Sequence, residues 1–195
     1  MPDPSSDKAR LRKQLRERRN ALTADEQQSA SQNAGHQAPA LPNWELATRI
    51  ALYLPADGEL DPAHLAALCR EKEKSLYLPV IRDDNSLVFA LWRPEEKLAI
   101  NRYGIPEPSP DSDPLRADDM EIIFLPLVGW DERGNRLGMG GGFYDRTLDG
   151  AIRPLLVGLA HDCQQVPALP RESWDVSLDF VVTGSALVDC RETLR

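Results

Sequence analysis

Cysteine is scarce and scattered in this sequence. Cys69, Cys163 and Cys190 are the three present. An odd number without close spacing speaks against a disulfide framework or a zinc site, and a reducing cytoplasm is the simplest setting. No apolar run reaches transmembrane length, and the first 20 residues are too polar for a signal peptide. Positive charge is also short. Lys and Arg number 23 against 31 Asp and Glu, a net charge of −8, which argues against a generic nucleic-acid binder. No obvious helix-turn-helix stands out, and no internal repeat is visible. The phosphate-binding GK[ST] ending is missing, and the one glycine-rich tract fits the dinucleotide fingerprint poorly.

Against those absences stands one dense stretch, Leu125–Leu148, LPLVGWDERGNRLGMGGGFYDRTL. An apolar run, Ile122–Val128, stops at Gly129. Polar turn residues Asp131, Gly134 and Asn135 follow. Gly138, Gly140, Gly141 and Gly142 then fall within five residues, ahead of Phe143-Tyr144-Asp145-Arg146. Strand, glycine-rich loop and helix together are suited to holding phosphate. The backbone can approach closely and its N–H groups point at the anion. Arg136 and Arg146 flank the loop and can add charge-assisted bonds of about 1.5–3 kcal/mol each. The plainer alternative is a flexible surface loop ending in a helix cap.

With 195 residues and 42% hydrophobic content the chain can bury a real core. Residues 1–4 are expected to be disordered. A basic helix runs from Ser6 or Asp7 to about Arg19. On it Lys8 and Arg12 share one face and can reach a polyphosphate together. Thr23-Ala-Asp-Glu26 is a capping box opening a helix to about Gly35. Ile50–Leu54 reads as a buried strand followed by the Ala56–Glu59 loop. Asp61-Pro62 starts another helix, to about Glu73. Strands are expected at 75–81, at 87–92 (antiparallel), at 121–128 (central), at 154–160, and at 178–183 as the last parallel one. Residues 94–118 are a proline-rich connection and the candidate for closing over a ligand. The alternation predicts one α/β unit over 1–195: a three-layer Rossmann-like fold with a mostly parallel central sheet and an N-terminal helical segment.

At the glycine loop the sequence resembles the 5-formyltetrahydrofolate cyclo-ligase family, also called methenyltetrahydrofolate synthetase. GNRLGMGGGFYD is similar to that family's commoner GNRLGRGKGYYD. Four further elements agree in order: Lys8-Ala-Arg-Leu-Arg12, Tyr53–Pro62, Tyr103–Pro108 and Trp174-Asp175-Val-Ser-Leu-Asp179. The resemblance implies conversion of 5-formyltetrahydrofolate to 5,10-methenyltetrahydrofolate, with ATP as co-substrate and Mg2+. It implies ATP contacts at Lys8, Arg12, Arg136, Leu137, Gly138, Met139, Gly140, Gly141, Gly142, Phe143 and Tyr144. It implies substrate contacts at Leu54, Glu59 and Met139–Phe143, and magnesium ligands at Asp145 and Asp179. Met139, Gly141 and Phe143 depart from the common arginine, lysine and tyrosine, and Trp174 from histidine.

The chemistry suits these residue types. A formyl oxygen must be phosphorylated before N10 can displace it, so the protein must align two substrates and neutralise moving charge. Arg136, Arg146 and Tyr144 are the catalytic candidates. Tyr144, Phe143 and Trp92 are candidates for stacking on the pterin. Glu59 is the candidate acceptor for folate N–H groups. His161 reads as a packing residue. Expected partners are the two small substrates, with no nucleic acid and no membrane, and a monomer in the cytoplasm. A sugar-phosphate isomerase or CoA-transferase-like enzyme on a related fold is the alternative, and a non-enzymatic ligand-binding module is a third reading.

Overall fold

The computed structural model describes residues 4–108, 113–148 and 154–191. Residues 1–3, three of the four expected to be disordered, lie outside these. Pro4 already begins the first helix, α1 (Pro4–Asn20). The second, α2 (Ala24–Gln37), opens on the expected capping box: Thr23 accepts from the Glu26 amide, and Glu26 accepts from the Thr23 amide. The third helix, α3 (Ala63–Glu71), starts where Asp61 accepts the Ala63 amide.

The strands are β1 (Arg49–Ala51), β2 (Ser75–Ile81), β3 (Leu87–Leu91), β4 (Ala99–Ile100), β5 (Pro106–Glu107) and β6 (Ile122–Pro126). After them come β7 (Gly129–Trp130), β8 (Arg136–Leu137), the short helix α4 (Phe143–Thr147), β9 (Leu155–Leu159), β10 (Phe180–Val182) and β11 (Leu187–Asp189). Seven strands form one sheet in the order β11-β10-β9-β6-β1-β2-β3. The neighbours from β10 through β2 pair in parallel. The two edge strands, β3 and β11, are antiparallel. β6 lies at the centre, as its continuous apolar run requires of a strand buried on both faces.

Each face of the sheet covers its own core. On one side Ile50, Leu52, Ile122, Phe124 and Val157 pack with residues of α2 and α3 such as Ala34 and Leu65. On the other Ala51, Ile123, Leu125 and Leu156 pack with Phe89, Trp130, Leu148 and Leu178. That second face is closed by a β7–β8 hairpin and the five-residue α4 rather than by long helices.

Three expectations shift in detail. A hairpin intervenes between the central strand and the glycine loop. The helix after the loop is barely more than one turn. An antiparallel strand, β11, follows the last parallel one. The irregular span 94–118 holds the small β4–β5 pair, and its residues 109–112 fall outside the described ones.

The chain runs β1 to β2 on one side of the sheet, then returns to β6, β9 and β10 on the other. The connection therefore reverses between β1 and β6. In open α/β sheets, ligands bind outside the carboxyl ends of the strands at such a reversal. Here the segments leaving those two strands are the Leu54–Glu59 loop and the approach to the glycine loop.

Candidate active site

Helix α1 crosses this carboxyl edge and is anchored there. Leu15 is fully buried against Val128, Leu137 and Leu169. With that contact as pivot, the polar residues of α1 reach both flanking segments. Toward its start, Arg12 Nε donates to the Gly138 carbonyl at 2.8 Å, and Lys8 pairs with Asp175 at 2.9 Å. Toward its end, Arg19 and its neighbours hold the Asp57 turn.

The glycine loop lies beneath three guanidinium groups. A Cβ at Gly138 would come within 3.1 Å of Arg136, one at Gly140 within 3.5 Å of Arg12, and one at Gly142 within 3.5 Å of Arg146. Gly142 caps α4 in the left-handed region at φ +67°, a conformation a side chain would strain. Arg136 is nearly buried and pairs with Asp145 at 2.7 Å, and its Cζ lies 5.7 Å from the Tyr144 ring centroid. Arg12 and Arg146 are held by carbonyl oxygens, of Gly138 for the first and of Asn85 and Gly142 for the second. Their charge is therefore available to an anion. At Gly141 the Phe143 ring fills the space a Cβ would need, 2.5 Å from that position.

Glu59 reaches the same corner from β1. Burial pushes its carboxyl above the usual range, against the opposing Ala56 amide and the Arg19 charge. Its Oε2 accepts the Ala56 amide at 3.1 Å. Burial likewise pushes the Tyr144 phenol well up, with Arg136 opposing and Glu59 adding to the shift. Tyr53, also buried, donates its hydroxyl to Leu60 O and feels both Glu59 and Tyr144. Leu54 is half-buried at the start of this loop. Leu54, Glu59, Arg136, Tyr144 and the glycine loop thus gather around one edge.

Not all expected site residues gather there. Asp145 does, and its Oδ1 accepts from both Arg136 and the Val176 amide. Asp179 stands at the opposite end of the strands, where its Oδ2 accepts the Leu156 amide at 2.9 Å. It lines a cavity of about 570 Å³ with Glu121, Pro154 and Arg191. Among the described residues no three His, Cys, Asp or Glu side chains form a metal-sized group. The acid of the Trp174–Asp179 element that reaches the loop's basic helix is Asp175. Trp92, a candidate for stacking, is also at the far end. Its amide bonds Leu76 O at the start of β2, and Arg70 covers its ring at 4.3 Å. The reason is strand direction: β3 runs antiparallel, so its last residue ends at the amino edge. Asp57 and Arg19, central to the geometry, were not singled out. The only sequence cue was the unusual number of arginines in α1.

Strand order, a reversal beside the central strand and an anion-ready loop at the carboxyl edge define an α/β ligand-binding enzyme fold. The model of the 5-formyltetrahydrofolate cyclo-ligase family matches residues 4–184, and the chain belongs to that family, which makes it a ligase. A 5-formyltetrahydrofolate cyclo-ligase of Escherichia coli K12 is 42% identical over 176 residues, covering 88% of this chain and 97% of that protein. The cyclo-ligase of Haemophilus influenzae is 40% identical over 179 residues, covering 89% and 96%. The solved 5,10-methenyltetrahydrofolate synthetase of Aquifex aeolicus superposes with a TM-score of 0.81 at 33% identity, covering 94% and 93%. Among the described residues no helix is long and apolar enough to cross a membrane.

Proposed function

We propose that this protein closes 5-formyltetrahydrofolate to 5,10-methenyltetrahydrofolate, using ATP and releasing ADP and phosphate. The observation that carries the reading is the convergence at one edge. Arg12, Arg136 and Arg146 cover a glycine loop, and Glu59 approaches the same corner from the neighbouring strand. Family membership supplies the substrate, as the relatives' names do for those proteins.

The formyl carbonyl is amide-like, and hydroxide is a poor leaving group. In the proposed course the formyl oxygen attacks the γ-phosphorus and ADP departs. N10 then adds to the activated carbon, its proton passes to solvent, and the oxygen leaves as phosphate. Such transfers need alignment and charge stabilisation more than covalent help. Arg12 and Arg146, with the loop N–H groups, are positioned to take up phosphate charge. Arg136, fixed by Asp145, orients the loop beneath it. Desolvation makes Tyr144 keep its proton, and the rings of Tyr144 and Phe143 are the candidates to meet the pterin. Glu59 is placed to accept from folate N–H groups.

Magnesium, when bound, would supply charge neutralisation to the phosphate groups. It prefers one or two carboxylates completed by phosphate and water. Asp145 fits one such ligand, because both of its bonds fall on Oδ1, leaving Oδ2. Asp179 does not fit beside it, since its carboxylate caps a strand start at the other edge. We read the setting as cytoplasmic, which the three free cysteines support.

The test is the near-ultraviolet band of methenyltetrahydrofolate. Purified protein is mixed with 5-formyltetrahydrofolate, ATP and magnesium, with each omitted in turn. The band should grow only in the complete mixture. A flat trace from folded protein would overturn the reading.

A further inference from the structure

Asp57 sits at the ligand edge, in the turn that follows β1. Three residues of one helix converge on it. Arg16 Nε meets Oδ2 at 2.6 Å, Arg19 meets Oδ2 at 2.7 Å, and Asn20 meets Oδ1 at 3.2 Å. Arg19 is itself completely buried, an uncommon place for a guanidinium. Its remaining bonds go to the Asp57 carbonyl at 2.7 Å and to Leu127 O at 3.2 Å, just past the end of β6. A buried charge is tolerated only when so completely bonded.

The segment held this way is a tight turn. Glu59 N donates to Ala56 O at 2.9 Å. The two central residues, Asp57 and Gly58, both have positive φ, at 50° and 73°. That is the requirement of a type I′ turn, for which Asp-Gly is a favoured pair; the clamp adds a tertiary hold to a turn the local sequence already favours. The helix fits the turn closely. A Cβ on Gly58 would come within 2.2 Å of Asn20 Oδ1. On the far side the turn rests against buried His161, whose imidazole burial keeps neutral. The residue that leaves this turn is Glu59.

We propose that Asp57, clamped by Arg16, Arg19 and Asn20 of α1, is a positioning residue that sets Glu59 for the folate. It acts through the Ala56–Glu59 turn without touching either substrate. The proposal rests on the cyclo-ligase reading and deepens it. The helix that presents Arg12 to the loop also fixes the opposite wall of the site. One element thus registers the nucleotide half against the folate half.

The experiment compares Asp57→Asn and Gly58→Ala with the wild type in the methenyl absorbance assay. The first removes the charge that the guanidiniums grip. The second leaves every charge and disturbs the turn by steric contact and unfavourable φ. Both should raise the KM for 5-formyltetrahydrofolate on the order of tenfold, while the KM for ATP and kcat move by about threefold or less. Equal rises in both KM values would overturn the proposal, as would an unchanged folate KM in a protein that merely melts earlier. A wild type that makes no methenyl product would instead remove the folate reading, and the proposed role for Glu59 with it. Hydrogen exchange at the Gly58 and Glu59 amides separates that failure from failure of the clamp. Exchange should be faster in Asp57→Asn, and unchanged rates would show that α1 does not hold the turn.

Discussion

Glu59 and Glu121 are two glutamates at opposite ends of the same parallel strands, and they have opposite environments. Glu121 stands before β6, at the amino edge. Its Oε2 accepts the Thr48 amide and hydroxyl and the Arg49 amide, at 2.7–2.9 Å. Burial pushes its carboxyl up, but these three donors outweigh it and leave it below the usual range. Glu59 stands beyond β1, at the carboxyl edge. Burial again pushes up, and there the Ala56 amide and the Arg19 charge do not offset it. One carboxylate ties strand starts together through three donors on Oε2. The other is left short of donors next to a glycine loop. A strand-end acid is therefore not functional by position alone; the number of donors each meets is what separates the two.

The comparison can be broken most sharply at Asp145. Asp145→Asn should lower kcat by about 10²–10³-fold, a loss typical of removing one preorganised charge contact. Asp145→Ala should do the same and also cost about 1–3 kcal/mol of stability, because Arg136 would be left nearly buried without its partner. Turnover preserved in both would reduce the residue to a helix cap. Next in size, Glu59→Gln should weaken folate binding by roughly tenfold and leave ATP binding within error, read by calorimetry. Equal weakening would remove the distinction drawn above.

Glu121→Ala should do the reverse. It removes the acceptor shared by Thr48 and Arg49, costing about 0.5–1.5 kcal/mol in urea unfolding with kcat unchanged. A loss of activity in the folded variant would erase the contrast between the edges.

The acid limb sharpens it further. Asp57 titrates at about 2, against an ordinary 3.8, chiefly through the Arg16 bond. A depressed folded value contributes stability above the unfolded value, and that stability is lost as pH falls from about 4 toward 2. The wild type should thus lose stability across that window, and Asp57→Asn should lose less. Glu59 carries the opposite sign, since its folded value is raised. It favours folding less as pH rises past 4.5. Glu59→Gln should flatten that decline in pH-dependent unfolding. The smallest effect is expected of Gly141→Lys. A Cβ there meets the Phe143 ring, which must turn aside, so a modest loss of stability in urea unfolding is expected.

Much of this edge was legible before any coordinates. Lys8 and Arg12 lie one turn apart, and a helix must present them together. Gly138–Gly142 announces a backbone that approaches something closely. The partners of these residues were not legible. Arg136 finds Asp145 nine residues on, but Arg12 finds Gly138 across 126 residues, and Arg19 finds Asp57 across 38. Trp92 looked suitable for stacking by type alone. The antiparallel direction of its strand carries it to the wrong edge. The family resemblance implied a magnesium ligand at Asp179. The start of β10 turns it toward the Leu156 amide instead.

The sequence by itself determined the capping box at Thr23–Glu26, the span of β2, the central place of β6 and the alternation that makes an α/β sheet. These depend on neighbours within a turn or on apolar periodicity, which act over a few residues. Only the tertiary structure decided the strand order, the reversal between β1 and β6, and the crossing of α1 over that reversal. It also decided how many donors each carboxylate meets. Those outcomes depend on non-local pairing and on which amides each acid meets. No local interaction encodes that choice; it is made when the two faces of the sheet bury their cores.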